Sequence, residues 1–311
     1  MEGITSALGA ECDPNPMNNN AILTGLGIGL LSAVCYGSNV PYAKLAAVVG
    51  ANGPNLVFYR AFLMVALLGV LGLTRGGSLA VPAGTRGVVL GLGIATSVVG
   101  ICYISSVAFI PVGVATIIYY VYPLVVLVVS PMVDGERLTI VRLVIFAFAF
   151  AGLFIAIGPS FTSLDPRGLA LAAMGAAGAA AQFFLASRAT RVIGPAAAGF
   201  WTQFIIIPIA FVACLPSGGV VAPSTLIGAA WPVGMHIGLF ALAFGLQMMA
   251  ARIAPPAALG LVFCVEPVVS IALATQVLNE SLTPPQATGG ALVLIAIITS
   301  VMAEGRKPAV A

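Results

Sequence analysis

Charged residues are scarce in this sequence. Of its 311 residues, 12 are Lys or Arg and 9 are Asp or Glu, so 7% are charged, whereas a soluble domain has about 25%. Apolar and aromatic residues make up 60% of the chain. So few polar groups cannot cover the surface of a soluble globule of this size. The composition excludes a soluble globular enzyme and predicts a protein that lies almost wholly in a membrane.

Residues that carry chemistry are few as well. His236 is the only histidine and the five cysteines stand singly, so the sequence predicts neither a metal site nor a disulfide framework. A phosphate-binding loop with its lysine is missing, so we expect no cofactor and only secondary or passive transport. The net charge of +3 does not indicate nucleic-acid binding, because the basic residues concentrate in the loops predicted to be cytoplasmic.

Two long stretches carry no charge at all, one between Arg86 and Asp134 and one between Arg191 and Arg252. At about 1.5 Å per residue, either stretch as one helix would exceed twice the hydrocarbon thickness of about 30 Å. Each must therefore turn back, and turns rich in Pro and Gly lie at 110–113 and 215–219. The other boundaries, marked in the same way, complete ten predicted spans: 21–43, 54–74, 87–109, 111–133, 139–158, 167–187, 196–215, 226–250, 256–278 and 286–303.

The distribution of Lys and Arg predicts the orientation. With a cytoplasmic N-terminus, the inner segments hold nine of the 12 basic residues, the outer loops hold only Lys44 and Arg167, and Arg60 lies within a span. We therefore expect both termini in the cytoplasm of a bacterium and the bundle in its inner membrane. Residues 1–20 lack Lys and Arg and are predicted to be a disordered tail rather than a signal peptide, and residues 304–311 a cytoplasmic tail.

The chain repeats itself at a constant offset of 144 residues, which aligns Gly50 with Gly194 and Pro123 with Pro267. The repeats are 21–158 and 159–303, each with five spans. Because five is odd, the second copy enters the membrane from the opposite side. The sequence therefore predicts an all-α membrane protein with two inverted-topology five-helix repeats. This plan is typical of transporters whose substrate site lies near the membrane midplane.

Two copies of one pattern carry a family resemblance. The first runs from Pro111 through Pro123 to 135–139 (Gly-Glu-Arg-Leu-Thr), and the second from Pro255 through Glu266 and Pro267 to 279–283 (Asn-Glu-Ser-Leu-Thr). The pattern resembles the EamA-type members of the drug/metabolite transporter superfamily. That resemblance implies a ten-helix bundle with a central cavity and export of amino acids, other metabolites or drugs. The segment 120–123 (Tyr-Val-Tyr-Pro) is also similar to the aromatic-aromatic-proline segment of aromatic amino-acid exporters, with Tyr122 where those have tryptophan.

Tyrosines in the fourth span are candidates for substrate binding. In an unbroken helix Tyr119 and Tyr120 share a face with Pro123, and Tyr122 lies at its margin. Unpaired hydroxyls in lipid cost about 1 to 3 kcal/mol each, so we expect this face to look into a wet cavity. The alternative is that the three hydroxyls bond to neighbouring helices. An aromatic wall would suit apolar or planar substrates.

Glu266 lies near the middle of the ninth span, where an acidic residue is expensive, at about 2.5 to 3.5 kcal/mol. The offset aligns it with Tyr122, so each half has a polar residue just before its mid-span proline. Three interpretations stay open: recognition of a substrate ammonium, proton coupling, and a structural bond to the backbone or to Arg60.

Other polar residues within spans complete the predicted binding set. Arg60 would meet a substrate carboxylate or instead pair with Glu266, and His236 would line the cavity or be a satisfied packing residue. Asn39, Tyr103 and Gln203 are the remaining candidates. Three prolines within or at the ends of spans remove helical hydrogen bonds and are candidate hinges for alternating access: Pro41, Pro123 and Pro267.

The sequence thus predicts a secondary or facilitative exporter of amino acids, aromatic and large apolar ones first, or of related metabolites. Proton coupling and the oligomeric state are left open. A multidrug efflux carrier is the first alternative. An intramembrane enzyme is the alternative from another class, but the paired acids or His-Glu-x-x-His motif that it would need do not lie at membrane depth.

Overall fold

Helices make up the regular structure of this protein. The computed structural model describes residues 19–305 except 49, 52, 75–77, 107–108, 111, 134–138, 158–164 and 278–282. Among the described residues, six helices are long and apolar enough to cross a membrane, and three shorter apolar helices accompany them. Residues 1–18 and 306–311 of the predicted tails and the motif residues 111, 135–138 and 279–282 lie outside the described residues, whereas residues 19–20 and 304–305 are helical.

The helices group into ten segments along the described chain, and we label them α1 to α10. Two of these segments, α4 and α9, consist of two pieces each, which we call a and b. The bounds are α1 Asn19–Val48, α2 Gly53–Thr74, α3 Arg86–Val98, α4a Val112–Tyr119, α4b Tyr122–Val133, α5 Ile140–Ile157, α6 and α7 within Pro166–Cys214, α8 Ala230–Ile253, α9a Pro256–Val262, α9b Val265–Val277 and α10 Pro284–Gly305.

These segments match the ten predicted spans, and the all-helical architecture of two repeats is confirmed. One connection differs from the prediction. Residues 188–195 were expected to form a loop, but two helices meet directly at Gly194, whose backbone angles are non-helical with φ at +80°. Glycine adopts such a backbone without the steric penalty that a Cβ brings. A single residue therefore replaces a loop between α6 and α7.

The two halves interlock through matching pairs of helices. Helix α1 packs along α8, and α3 packs along α6, where Gly175 and Gly178 lie against Tyr103 and Val98. Since α1 corresponds to α6 and α3 to α8, these two interfaces exchange when the repeats are swapped. The pairs α2 with α7, α4 with α9 and α5 with α10 map onto themselves. This is the contact pattern of a pseudo-two-fold axis between the repeats.

Both α4 and α9 are interrupted near their centres. Helix α4 stops at Tyr119 and resumes at Tyr122, and α9 stops at Val262 and resumes at Val265. Pro123 and Pro267 follow the two breaks and have no N–H to donate to the carbonyl four residues earlier. The breaks fall within one residue of each other under the 144-residue offset. They interrupt the regular helical hydrogen bonding in the middle of the bundle, which is tolerated only where protein or a cavity surrounds it.

Candidate functional site

A cavity of about 280 Å³ lies inside the bundle beside the two helix breaks. It is bounded by α1, α2, α4, α6, α8, α9 and the end of α3, where the chain runs as a π-helix over Val99–Tyr103. Such π segments are frequent at functional sites because they re-aim side chains. Its polar lining residues are Tyr36, Asn39, Arg60, Thr96, Tyr103, Tyr119, Tyr122, Gln182, His236, Gln247 and Glu266.

The two breaks supply the acid and part of the aromatic wall. Tyr122 and Glu266, which correspond under the offset, both line the cavity. Tyr120 lies at the break itself, with its ring centroid 5.2 Å from that of Tyr119. Gly37 on α1 permits close approach to the α9 break, because a Cβ there would clash with the Glu266 carbonyl oxygen. Helix α1 thus fixes the α9 break by direct backbone contact.

Tyrosine and phenylalanine rings form a continuous wall around the acid. The rings of Tyr103 and Tyr119 stack with centroids 4.3 Å apart, and Tyr119 lies 5.3 Å from Tyr122. Tyr122 in turn stacks on Phe183 at 5.3 Å. Rings at these separations attract one another and hold a rigid surface. Their faces carry negative charge density and can stabilise a cation.

Arg60 and His236 bring unpaired nitrogen atoms to the same cavity. The Arg60 guanidinium lies over the Phe240 ring, with its Cζ 3.6 Å from the ring centroid, and its Nε is buried without a hydrogen-bond partner. Nδ1 of His236 lies 3.3 Å from the Asn39 carbonyl oxygen, whereas its Nε2 is buried without a partner. Across the part of the chain that the structure describes, Arg60 forms no ion pair with Glu266. The cavity therefore contains a basic and an acidic side chain, Arg60 and Glu266, that do not pair with each other.

Several hydroxyl and amide groups around the cavity form hydrogen bonds with one another. Tyr36 donates its hydroxyl hydrogen to Gln247 Oε1 at 2.8 Å. The Tyr103 and Thr116 hydroxyls are 3.0 Å apart. These bonds satisfy polar groups that would be costly at this depth. They also hold the wall in place before any ligand enters.

The structure places seven of the nine predicted binding residues around the cavity: Asn39, Arg60, Tyr103, Tyr119, Tyr122, His236 and Glu266. Tyr120 and Gln203 are not among its lining residues. Because α4 breaks at Tyr120, the single helical face expected for an unbroken helix does not exist there. Gln203 is fully buried in α7, and neither of its amide atoms has a partner.

Further polar side chains line the cavity without being among the nine predicted binding residues, among them Tyr36, Gln182 and Gln247. Each is an isolated polar residue in an apolar span, which is the signal that selected Asn39. The phenylalanines of the wall carry no such signal, because phenylalanine is equally common on lipid-facing surfaces. Their role follows only from the fold.

Both a family profile and solved structures match this chain. The sequence profile of the EamA-like transporter family matches residues 23–158 and 166–302, which is most of the chain in two copies. A solved crystal structure of a protein superposes with a TM-score of 0.73 at 21% identity, covering 91% of this chain and 98% of its own. At this identity the superposition shows the fold alone. Curated proteins give no match.

Proposed function

Because the chain belongs to the EamA-like transporter family, and is therefore a membrane transporter of small molecules, we propose that it exports amino acids, aromatic and large apolar ones first. The export is secondary or facilitative and proceeds by alternating access. The protein lies in a bacterial inner membrane with both termini in the cytoplasm, as the excess of basic residues in the inner segments indicates.

The observation that carries the proposal is that an acid and a base, not paired with each other, line one aromatic cavity. Glu266 offers a carboxylate to a substrate ammonium, and the neighbouring tyrosine faces add cation–π stabilisation. Arg60 offers an unpaired guanidinium N–H to a substrate carboxylate. An amino-acid zwitterion satisfies both groups at once, whereas a simple cation or anion leaves one buried charge without compensation.

The size and lining of the cavity favour small, partly apolar cargo. A volume of about 280 Å³ is near the lower end of ligand sites. Four phenylalanines line it together with the tyrosines: Phe183, Phe240, Phe244 and Phe263. An aromatic or large aliphatic side chain would be desolvated against these rings, at about 25 cal/mol per Å² of apolar surface.

The two broken helices provide the moving parts of the cycle. Substrate enters from the cytoplasm and rests between Tyr122 and Glu266, and the two halves then re-pack around it. Pro123 and Pro267 are the hinges of α4b and α9b, and Pro41 that of the outer end of α1. Repeats that interlock by a pseudo-two-fold axis can exchange roles at the two membrane faces.

Counterflow in proteoliposomes tests this function. Vesicles loaded with an unlabelled amino acid should accumulate labelled phenylalanine or leucine, and glutamate or lysine should compete poorly. Arg60→Gln should reduce the exchange at least about tenfold, because a charged hydrogen bond is lost. Arg252→Gln, which changes an exposed arginine at the end of α8, is the matched control and should exchange normally.

Two results would redirect the proposal. Exchange of structurally unrelated organic cations, insensitive to Arg60→Gln, would indicate a multidrug efflux carrier. Conversion of the amino acid without movement would indicate an intramembrane enzyme. The same vesicles with and without an imposed pH gradient decide between proton coupling and facilitated diffusion.

A further inference from the structure

The two ends of the central cavity differ in their polar side chains. On α8, four cavity-lining residues follow one another at helical spacing: His236, Phe240, Phe244 and Gln247. The Arg60 guanidinium lies over Phe240, in the same half of this row as His236. Gln247 ends the row about 16 Å farther along the helix axis. The cavity therefore has basic side chains at one end and an amide at the other, which we call the amide end.

A second glutamine, Gln182 on α6, lies at the amide end. The ring of its neighbour Phe183 is 5.3 Å from that of Phe263. Phe263 in turn lies 6.0 Å from Tyr36, whose hydroxyl binds Gln247. This chain of contacts joins the position of Gln182 to that of Gln247. Both amides therefore line the same end of the cavity.

Of the two amides, that of Gln182 is available to a ligand. The Oε1 atom of Gln247 already accepts the Tyr36 hydroxyl hydrogen at 2.8 Å. The Gln182 side chain is only 7% exposed, and it forms no hydrogen bond within the part of the chain that the structure describes. A carboxamide offers two donor hydrogens and one acceptor oxygen without any net charge. The amide end thus suits a neutral group that both donates and accepts hydrogen bonds.

We propose that Gln182 determines specificity at the side-chain end of the substrate and selects amino acids whose side chains end in a hydroxyl, tyrosine first. This inference rests on the proposed function, in which Arg60 and Glu266 hold the carboxylate and the ammonium. A side chain that extends from them to the amide end passes the Phe183 and Phe263 rings, against which an aromatic ring packs well. A phenol hydroxyl then satisfies the amide, whereas phenylalanine leaves it buried and unpaired.

Equilibrium binding of tyrosine and phenylalanine tests the inference, because these two ligands differ by one hydroxyl. Purified protein in lipid nanodiscs is titrated with each radiolabelled amino acid. We expect tyrosine to bind about threefold to tenfold more tightly, as one additional neutral hydrogen bond implies. Gln182→Leu should abolish this preference. It should also let phenylalanine bind at least as tightly as before, because leucine removes an amide that phenylalanine leaves unpaired.

Two further variants and a third ligand complete the design. Gln203→Leu is the matched control, since Gln203 is also a buried glutamine but is not among the residues that line the cavity. The ratio of tyrosine to phenylalanine affinity should stay native in this variant. Gln182→Met removes the amide with little change in side-chain length and decides the matter if leucine disturbs folding. O-Methyltyrosine, which accepts a hydrogen bond but cannot donate one from its ring oxygen, should bind more weakly than tyrosine.

Equal affinities for tyrosine and phenylalanine in the native protein would overturn this inference and leave the amino-acid cargo in place. A preference for tyrosine that survives both Gln182 variants would overturn it too. So would a preference that Gln203→Leu removes equally well, because the effect would then come from the core of the bundle and not from the amide end. Binding of neither amino acid would reject the proposed cargo together with this inference.

Discussion

The breaks in α4 and α9 have the same interrupted backbone followed by a proline, but they differ in their side chains. At α4 the sequence 120–123 reads Tyr-Val-Tyr-Pro, and at α9 the equivalent 264–267 reads Cys-Val-Glu-Pro. The valine and the proline are kept, and so is the interruption of the helix. The other two positions differ: one copy has Tyr120 and Tyr122 where the other has Cys264 and Glu266.

The comparison separates two features of the site: the proline that interrupts the helix, which both repeats have, and the side chain before it, which differs. A proline after the break removes the same hydrogen bond in either repeat, whatever side chain precedes it. The preceding side chain faces the cavity in both repeats. Each repeat thus contributes one side chain from its helix break to the cavity wall. The side chain is aromatic in the first repeat and acidic in the second.

The largest effect is expected from removing the acid of the α9 break. Glu266→Gln should lower amino-acid exchange about 10- to 100-fold, because a charge-assisted contact contributes about 1.5 to 3 kcal/mol. Tyr122→Phe at the equivalent position keeps the ring and should lower exchange less than about threefold. Initial rates of counterflow at matched protein density measure both. Equal losses in the two variants would mean that the breaks are chemically equivalent after all.

Restoring the missing N–H should have an intermediate effect. Pro123→Ala or Pro267→Ala allows the helix to close across its break, and each should lower exchange about fivefold to tenfold while the amount of protein in the membrane stays normal. Flux and immunodetected protein are measured in the same vesicles. Native flux at a native protein level would show that the breaks take no part in the transport cycle.

The smallest effect concerns the helix contacts that hold the two breaks. Gly37→Ala would press a Cβ into the Glu266 carbonyl oxygen, whereas at Gly260 the added Cβ would meet the Cα of Pro123 at 3.5 Å, an ordinary contact. Overpacking costs about 1 to 3 kcal/mol. We therefore expect a lower melting temperature for Gly37→Ala in detergent and an unchanged or higher one for Gly260→Ala. Identical melting curves would show that α1 gives way easily at the α9 break.

Much of the fold could be predicted because charge is so scarce. A chain with few charged residues reveals its membrane boundaries through those residues and through Pro- and Gly-rich turns, and the bounds of α2, α5 and α7 follow within one or two residues. The α6–α7 connection could not be predicted in this way. A glycine in the left-handed region leaves no mark in the sequence that distinguishes a bend from a loop.

The site was only partly predictable for a related reason. Helical periodicity assigns faces only while the helix continues, so Tyr120 was placed with Tyr119, although only Tyr119 of the two lines the central cavity. Arg60 and Glu266 were natural partners by charge, yet the guanidinium lies over Phe240 instead. Contacts between helices distant in the chain decide such choices, and a single sequence does not contain them.

The corners at Gly50 and Gly194 bear on how the bundle moves. These glycines correspond under the repeat offset, and both have positive φ, +94° and +80°. Gly194 joins α6 to α7 without a loop. The connection therefore cannot absorb a tilt of one helix before the tilt reaches the other. At each of these corners, a tilt of one helix is passed directly to the next helix. Through such a stiff connection, binding of a ligand near the membrane midplane would shift the ends of these helices at the membrane surface.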